Sequence, residues 1–379
     1  HQNQVDLLVL EKGKPKAVYP HKINTNAVGA SQLWYIPKQA PQDNLFYFAS
    51  GGGNGPKGIV FDEYGNIRFF FNPHYDNNYR QTHILHHLLI TDYGSGIIEI
   101  SSLLGEKLKA FRLPSNFESF KHDIGEGPDN TLLIIGTDSS SKGSVLNKEA
   151  SLSYDKILVT DLTGKVIKLF DMATILNPDR DIFSNPIDIY GYADWLHLNS
   201  VKYLPEDNSL LISGKHLGIF KIDYETGKLK WMITPHLQLQ KSGAYGKRPS
   251  IADKALLAVN AQGKPYPIDV QKGFQTADDF HWPMMNHSVN QLPSGIISIF
   301  SNNGPLNNKK LKSFDKSDVL FFKVDEKKKT VQLVKRIHLP VYAPIASSVV
   351  PIDEKDIFVL SADIQDKNTN SSLAKFYRY

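Results

Sequence analysis

The chain has 379 residues, 43 basic and 39 acidic groups and a formal net charge of +4, too long for one ordinary core and too short for three unless it is a large closed repeat. The near balance of charge, with no basic block beyond Lys327-Lys328-Lys329, argues against a nucleic-acid partner held by phosphate contacts, and no apolar run approaches the ~20 residues of a membrane helix. Cysteine is absent, which excludes disulfides and thiolate ligands and suits an oxidising compartment as well as the cytosol.

Taken in order, the chain opens at His1 rather than at a methionine, so a preceding segment is expected. Apolar stretches near 5–10 and 17–19 read as strands. The run GGGNGP at 51–56 lacks the Lys-Ser/Thr and the helix of a phosphate loop and reads as a flexible connection. Hairpins recur at 60–67 (VFDEYGNI), 159–166 (VTDLTGKV), 221–231 (KIDYETGKLKW) and, with a solvated lysine tip in place of the glycine turn, 323–331. Each sets short β-branched and aromatic runs about an Asx or Gly turn, the hairpin signature.

The spacing predicts an all-β fold, a six-bladed β-propeller with four-stranded blades at about 33–73, 82–114, 120–171, 196–234, 286–339 and 345–379. In this reading residues 1–379 form a single domain whose N-terminal strands complete the last blade, leaving no open edge. Two long insertions, about 172–195 and 235–285, each precede a histidine-bearing strand and read as binding elements. Helical composition is confined to short stretches such as 251–259.

Three of these strands begin alike. The segments HDIGEGPDNTLLIIGTD from His122, HLNSVKYLPEDNSLLISGK from His197 and HSVNQLPSGIISIFSNN from His287 each read as a strand start, a Pro-containing turn and an apolar strand. Equivalent positions of repeats arranged about an axis converge on it, so three imidazoles are expected to meet. His197 and Lys215 lie symmetrically about residue 206 and face each other in a regular hairpin, with Asn199 on the same face. Imidazole, amide and ammonium together make an anion cradle. Three histidines are also a known zinc set, but no carboxylate shares the repeated slot and Lys215 repels a cation; no metal or other cofactor is expected.

The remaining polar and aromatic residues admit two readings each. His83, His86, His87, His216, His236 and His281 match no repeated slot and read as surface, gate or core residues, with His281 and Trp282 placed to line a site entrance. Asn302, Asn303 and Asp138 fall near the slot of Lys215 and are either polar lining or ordinary strand ends. Tyr192, Trp195, Phe280 and Trp282 either stack on an aryl group or pack the insertions onto the sheets.

At DWLHLN (194–199), SGKH (213–216), the 221–231 hairpin and NHS (286–288) leading into LPSG (292–295), the chain resembles the aryl-sulfate sulfotransferases, PAPS-independent enzymes on a six-bladed β-propeller. The resemblance runs from about residue 80 onward. It implies a periplasmic enzyme that moves a sulfuryl group from an aryl sulfate ester to a phenolic acceptor by a ping-pong route through a sulfohistidine. It implies His287 as nucleophile, and His122, His197 and Asn199 as groups that hold the sulfuryl oxygens or exchange protons. Trp195 and Trp282 are the candidates for the aryl ring. Lys215 stands where the family usually has arginine; it keeps the charge and loses the two-pronged grip. The family's cysteine pair is absent, and its separate N-terminal β-sandwich is expected to be absent too. Transfer through a loose, charge-spread state depends on positioning and electrostatics rather than on a metal. The expected partners are therefore small molecules only, with neither nucleic acid nor membrane. A non-catalytic propeller binding an anion or a glycan in the same cavity is the alternative.

Overall fold

The computed structural model describes the backbone of residues 2–11, 14–24, 45–49, 58–62, 67–71, 79–93, 96–102, 106–118, 122–138, 142–145, 148–152, 154–176, 192–193, 195–237, 250–304, 314–366 and 371–379, and most of their side chains from Thr82 onward. The chain forms two compact units, His1–Arg112 and Leu113–Tyr379.

In the first unit β1 (Gln2–Glu11) and β2 (Lys14–Asn24) pair with each other. β3 (Leu45–Ala49), β4 (Gly58–Asp62) and β5 (Ile67–Phe71) make a three-stranded meander, and β6 (Tyr79–Leu85), β7 (Leu88–Tyr93), β8 (Ile97–Ser101) and β9 (Lys107–Arg112) a four-stranded blade. The 51–56 glycine run falls outside the described residues.

The second unit carries the site. Its first blade joins β10 (Phe117–Glu118) and β11 (Ile124–Glu126), both against β12 (Leu132–Asp138), to β15 (Tyr154–Thr160) and β16 (Val166–Asp171). A hairpin, β13 (Lys142–Val145) and β14 (Lys148–Leu152), interrupts it and pairs with β17 (Tyr192–Ala193). The next blade is the meander β18 (Leu198–Leu204), β19 (Ser209–Gly214), β20 (Gly218–Asp223) and β21 (Leu229–Ile233). Then come β22 (Leu257–Ala258), which adds in parallel to the outer edge, and β23 (Asn286–Gln291), β24 (Ile297–Ser301), β25 (Asp318–Asp325) and β26 (Thr330–His338). The last sheet is β27 (Ser348–Pro351), β28 (Ile357–Asp366) and β29 (Ser371–Arg378).

Successive blades of this unit meet along their inner strands, β11 with β18, β18 with β23 and β23 with β27. Their middle strands are apolar without alternation because both faces are covered. Period-2 geometry then sorts neighbouring residues between two cores. In β19 and β20, Ile212 and Phe220 join a core with Leu133, Ile135 and Ile157 of the preceding blade. Leu211 and Ile219 join Ile297, Ile299, Leu320 and Phe322 of the next. Phe300, Val319 and Phe321 face onward to Val349, Ile357 and Val359.

The all-β propeller class stands, but the count of six four-stranded blades does not. Five blades are described, two of four strands, two of five and one of three, and a three-stranded meander occupies the stretch where the first was expected. β1 and β2 pair with one another, and β27–β29 is a three-stranded sheet among the described residues. The stretch at 251–259 is not an α-helix either. One 3-10 turn, Ala252–Lys254, leads into β22, since the exposed edge of β26 offers parallel backbone partners. From the same insertion, buried Gln271 exchanges hydrogen bonds with the backbone of Ala258.

A polar clamp ties two of these blades from outside. The buried Lys221 Nζ lies 2.6 Å from Asp207 and 2.8 Å from Glu326, which also accepts from Trp231 Nε1. Burial pushes the Asp207 carboxyl up, but hydrogen bonds from Lys221 and Lys230 outweigh it and hold the group at about 2, below its usual 3.8. A depressed carboxyl stabilises the fold above its unfolded value and loses that contribution as pH falls through its folded one. Asp207→Asn should therefore lower stability by about 0.5–1 kcal/mol at neutral pH. In urea titrations the gap from wild type should close between about pH 4 and pH 2, over the range set by those two values.

Candidate active site

Two β-bulges aim the site residues. The register of β18 against β19 shifts between Leu198 and Ser200, and that of β23 against β24 between His287 and Asn290. Each bulge turns one residue out of the ladder and leaves backbone N–H groups without ladder partners. The neighbouring blade supplies those partners. Asp155 Oδ2 accepts from Leu198 N at 2.8 Å and Asp123 Oδ2 from Val201 N at 3.0 Å. Ser200 Oγ in turn accepts from Val289 N at 2.8 Å. Ser288 Oγ donates to Val349 O across the following boundary at 2.9 Å. Gly125 permits the close approach of β11, since a Cβ there would lie 2.6 Å from Val201 O.

The bulge also explains the hairpin arithmetic. From Ser200 to Leu204 the pairing is offset by one residue, and the extra residue Asn199 restores the register at Leu198↔Gly214, so that Lys215 N donates to His197 O at 3.0 Å. His197 and Lys215 are opposite one another as expected. Asn199 is the bulged residue, 5 % exposed, and its Nδ2 donates to the carbonyl of Asn286, immediately before His287. Asn286 Nδ2 returns across the boundary to Ser213 Oγ at 2.6 Å.

The three histidines of the repeated slot do meet. His122 Nε2 lies 2.7 Å from His197 Nε2, so one nitrogen carries the hydrogen and the other accepts it. The His122 ring stands edge-on to His287 with centroids 6.0 Å apart. His122 and His197 have φ of 68° and 53°, the left-handed region that non-glycine residues enter at a cost and that clusters at functional sites. A fourth imidazole, His216, packs edge-on against His197 at 5.6 Å. In the sequence it stands beside Lys215 at the end of the SGKH motif but matches no repeated slot.

His287 is 6 % exposed. Its Nδ1 lies 2.7 Å from Asn302 Oδ1 and 3.2 Å from Met285 O. Burial drives its pKa down to about 3; the Asn302 bond opposes this, and the charges of His197 and Lys215 add to it. The group is thus a neutral imidazole beside a cation. Among the described residues no cluster of His, Cys, Asp or Glu has the geometry of a metal site.

The aromatic candidates lie elsewhere. Trp282 is 1 % exposed in the core shared by the β18–β21 and β22–β26 sheets, and its Nε1 donates to Val270 O at 2.8 Å. Phe280 packs edge-on against it at 4.9 Å. Trp195 is buried in the core beneath β12 and β19. Neither tryptophan presents an exposed face for an aryl ring, because both side chains are packed into cores between blades. His281 is likewise internal, 3.6 Å from Asp318, and lines no entrance. Asn302 and Asn303 are interior polar residues rather than strand-end turns, for Asn303 Nδ2 donates to Asp318 Oδ2 at 2.6 Å. Asp194 and the side chains of Tyr192 and Asp138 fall outside the described residues.

The arylsulfotransferase (ASST) family profile matches residues 36–378. The chain belongs to the arylsulfotransferase family. Among its relatives, the arylsulfate sulfotransferase AssT of Escherichia coli O6:H1 (strain CFT073) is 26% identical over 284 residues, 65% of this chain and 46% of that protein. AssT of Lelliottia amnigena is 25% identical over 300 residues, 69% of this chain and 48% of that protein. The chain thus spans about half the length of these arylsulfotransferases. Two solved structures are similar at lower levels: a protein of unknown function from Bacteroides caccae (10% identity, TM-score 0.45, 85% of this chain and 84% of that one), and the WD40 β-propeller domain of Doa1 (12% identity, TM-score 0.42, 82% and 73%).

One consequence of the burial at His287 is directly measurable. Its imidazole should show no titration between about pH 5 and 9 by histidine C2–H NMR, the resonance being assigned with His287→Gln. A midpoint near the ordinary value of 6.5 would contradict the buried, cation-flanked geometry.

Proposed function

We propose that this arylsulfotransferase-family chain transfers a sulfuryl group from an aryl sulfate ester to a phenolic acceptor in two steps, with His287 as the covalent carrier. The observation that carries the reading is the pairing of a buried, neutral imidazole with a cation and a hydrogen-bonded imidazole pair from the two preceding blades. A neutral nitrogen keeps the lone pair that attack on sulfur requires. As the N–S bond forms, the S–O bond to the aryl group breaks and its electron pair leaves on the phenolate oxygen. The His122–His197 pair supplies the proton for that oxygen. In the second step the acceptor hydroxyl returns a proton to the pair while its oxygen displaces His287 from sulfur, so protons balance over the cycle.

The sulfuryl oxygens stay anionic throughout. Lys215 and the second amide hydrogen of Asn199 are the groups proposed to hold them, acting as fixed charge and dipole. Lysine offers a point charge rather than a planar fork, so orientation falls more heavily on the histidines. A periplasmic location belongs to the same proposal and rests on the family resemblance.

Incubation with a chromogenic aryl sulfate should give phenol release that an added phenol accelerates, with a sulfated histidine trapped on the peptide containing His287. His287→Ala should lower release by at least about 10³-fold. Release unaffected by that substitution removes His287 as carrier, and aryl sulfate binding without release favours a non-catalytic anion site. Lys215→Arg should preserve or raise the transfer rate. Its complete loss would mean that the ammonium has a role the guanidinium cannot fill.

A further inference from the structure

We infer that Asn302 is a positioning residue for His287, setting the imidazole tautomer with hydrogen on Nδ1 and leaving the lone pair on Nε2. The inference rests on the reading of His287 as the sulfuryl carrier for its catalytic consequence, but not for the tautomer itself.

Two independent contacts require the Nδ1 hydrogen. The carbonyl of Met285, 3.2 Å from Nδ1, can only accept. The Asn302 amide oxygen, 2.7 Å away, accepts as well. Its orientation follows from the other side of the amide, where Nδ2 donates to Ala343 O at 2.7 Å and to Ala346 O at 3.1 Å. A flipped amide would set its oxygen against two carbonyls and its NH₂ against Nδ1. Asn302 is fully buried and its backbone is held too. Ser317 Oγ donates to Asn302 O at 3.2 Å and accepts from Ala343 N at 3.0 Å. Ala346 and Ser347 take φ of 53° and 82°, so the segment offering those carbonyls is constrained in the left-handed region.

This is the logic by which a hydrogen bond at one ring nitrogen decides the chemistry of the other. An aspartate would lack the two donors for Ala343 and Ala346, and an aliphatic side chain would leave Nδ1 with the Met285 carbonyl alone. The charged and titratable groups around His287 are His122 and His197 from the two preceding blades and Lys215 from the end of β19. None of them bonds Nδ1 among the contacts described, so the amide is the neutral element that orients the ring without adding charge.

The test combines ring-nitrogen NMR with kinetics on the full chain. In the wild type, His287 should show a protonated-type Nδ1 and an unprotonated-type Nε2. Asn302→Leu should mix the tautomers and lower kcat of the donor half-reaction by about 10–100-fold with KM little changed. Asn302→Asp should restore the Nδ1–H tautomer and move the acid limb of the rate profile up by about one pH unit or more, because a carboxylate beside Nδ1 favours the imidazolium. An Nε2–H tautomer in the wild type, or an Asn302→Leu protein with wild-type nitrogen shifts, overturns the inference. If Asn302→Leu does not fold, the wild-type shifts and the Asn302→Asp profile decide it. The nitrogen shifts do not depend on turnover, so a wild type with the Nδ1–H tautomer and no transfer activity would sink the functional reading and leave this one standing.

Discussion

The geometry of the site depends on one kind of interaction: polar side chains of one blade bonding the backbone of the next at its bulges. Asp123 and Asp155 take the N–H groups of Val201 and Leu198, and Ser200 takes that of Val289. Each of these N–H groups is buried, and leaving one without a partner costs about 1–3 kcal/mol. A bulge is therefore favourable only while the neighbouring blade is docked. The same bonds that join the blades lie within a few residues of His197, Asn199 and His287, so blade docking and site geometry are linked.

Burial and charge act together on what is assembled there. His287 lies among apolar and neutral polar groups, with the ammonium of Lys215 and the imidazoles of His122 and His197 nearby. Desolvation and like charge both penalise a protonated ring. The pair formed by His122 and His197 differs, because it is more exposed and its two rings share a hydrogen bond. One set of histidines thus separates into a buried ring kept neutral and a more exposed pair joined by a hydrogen bond. Left-handed backbone at His122 and His197 is the local cost of that arrangement.

The inner and outer hairpins were legible because turn chemistry and period-2 burial are local. Matching of His122, His197 and His287 was legible because repeats place equivalent residues alike. The role of Asn302 was not, since an asparagine after a strand ordinarily signals a turn, and only the packing of the 343–346 carbonyls against its amide reveals otherwise. Trp195 and Trp282 misled in the opposite sense. Aromatic residues beside a site suggest stacking, yet burying a large ring is favourable by several kcal/mol wherever a core will accept it.

By itself the sequence determined an all-β chain of blade-type hairpins, the family, and three histidines and a lysine in register with one another. The hairpins and the register are written in periodicity and spacing, and the family in the motifs that resemble it, none of which depends on distant contacts. The tertiary structure alone decided that the N-terminal strands pair with each other, that Asn199 is a bulged residue bonded to the strand of His287, that His216 joins the cluster and that His287 is desolvated. Each of those outcomes depends on which surfaces exclude water and which buried polar atoms find partners across a blade boundary, and neither is encoded in any single stretch of chain.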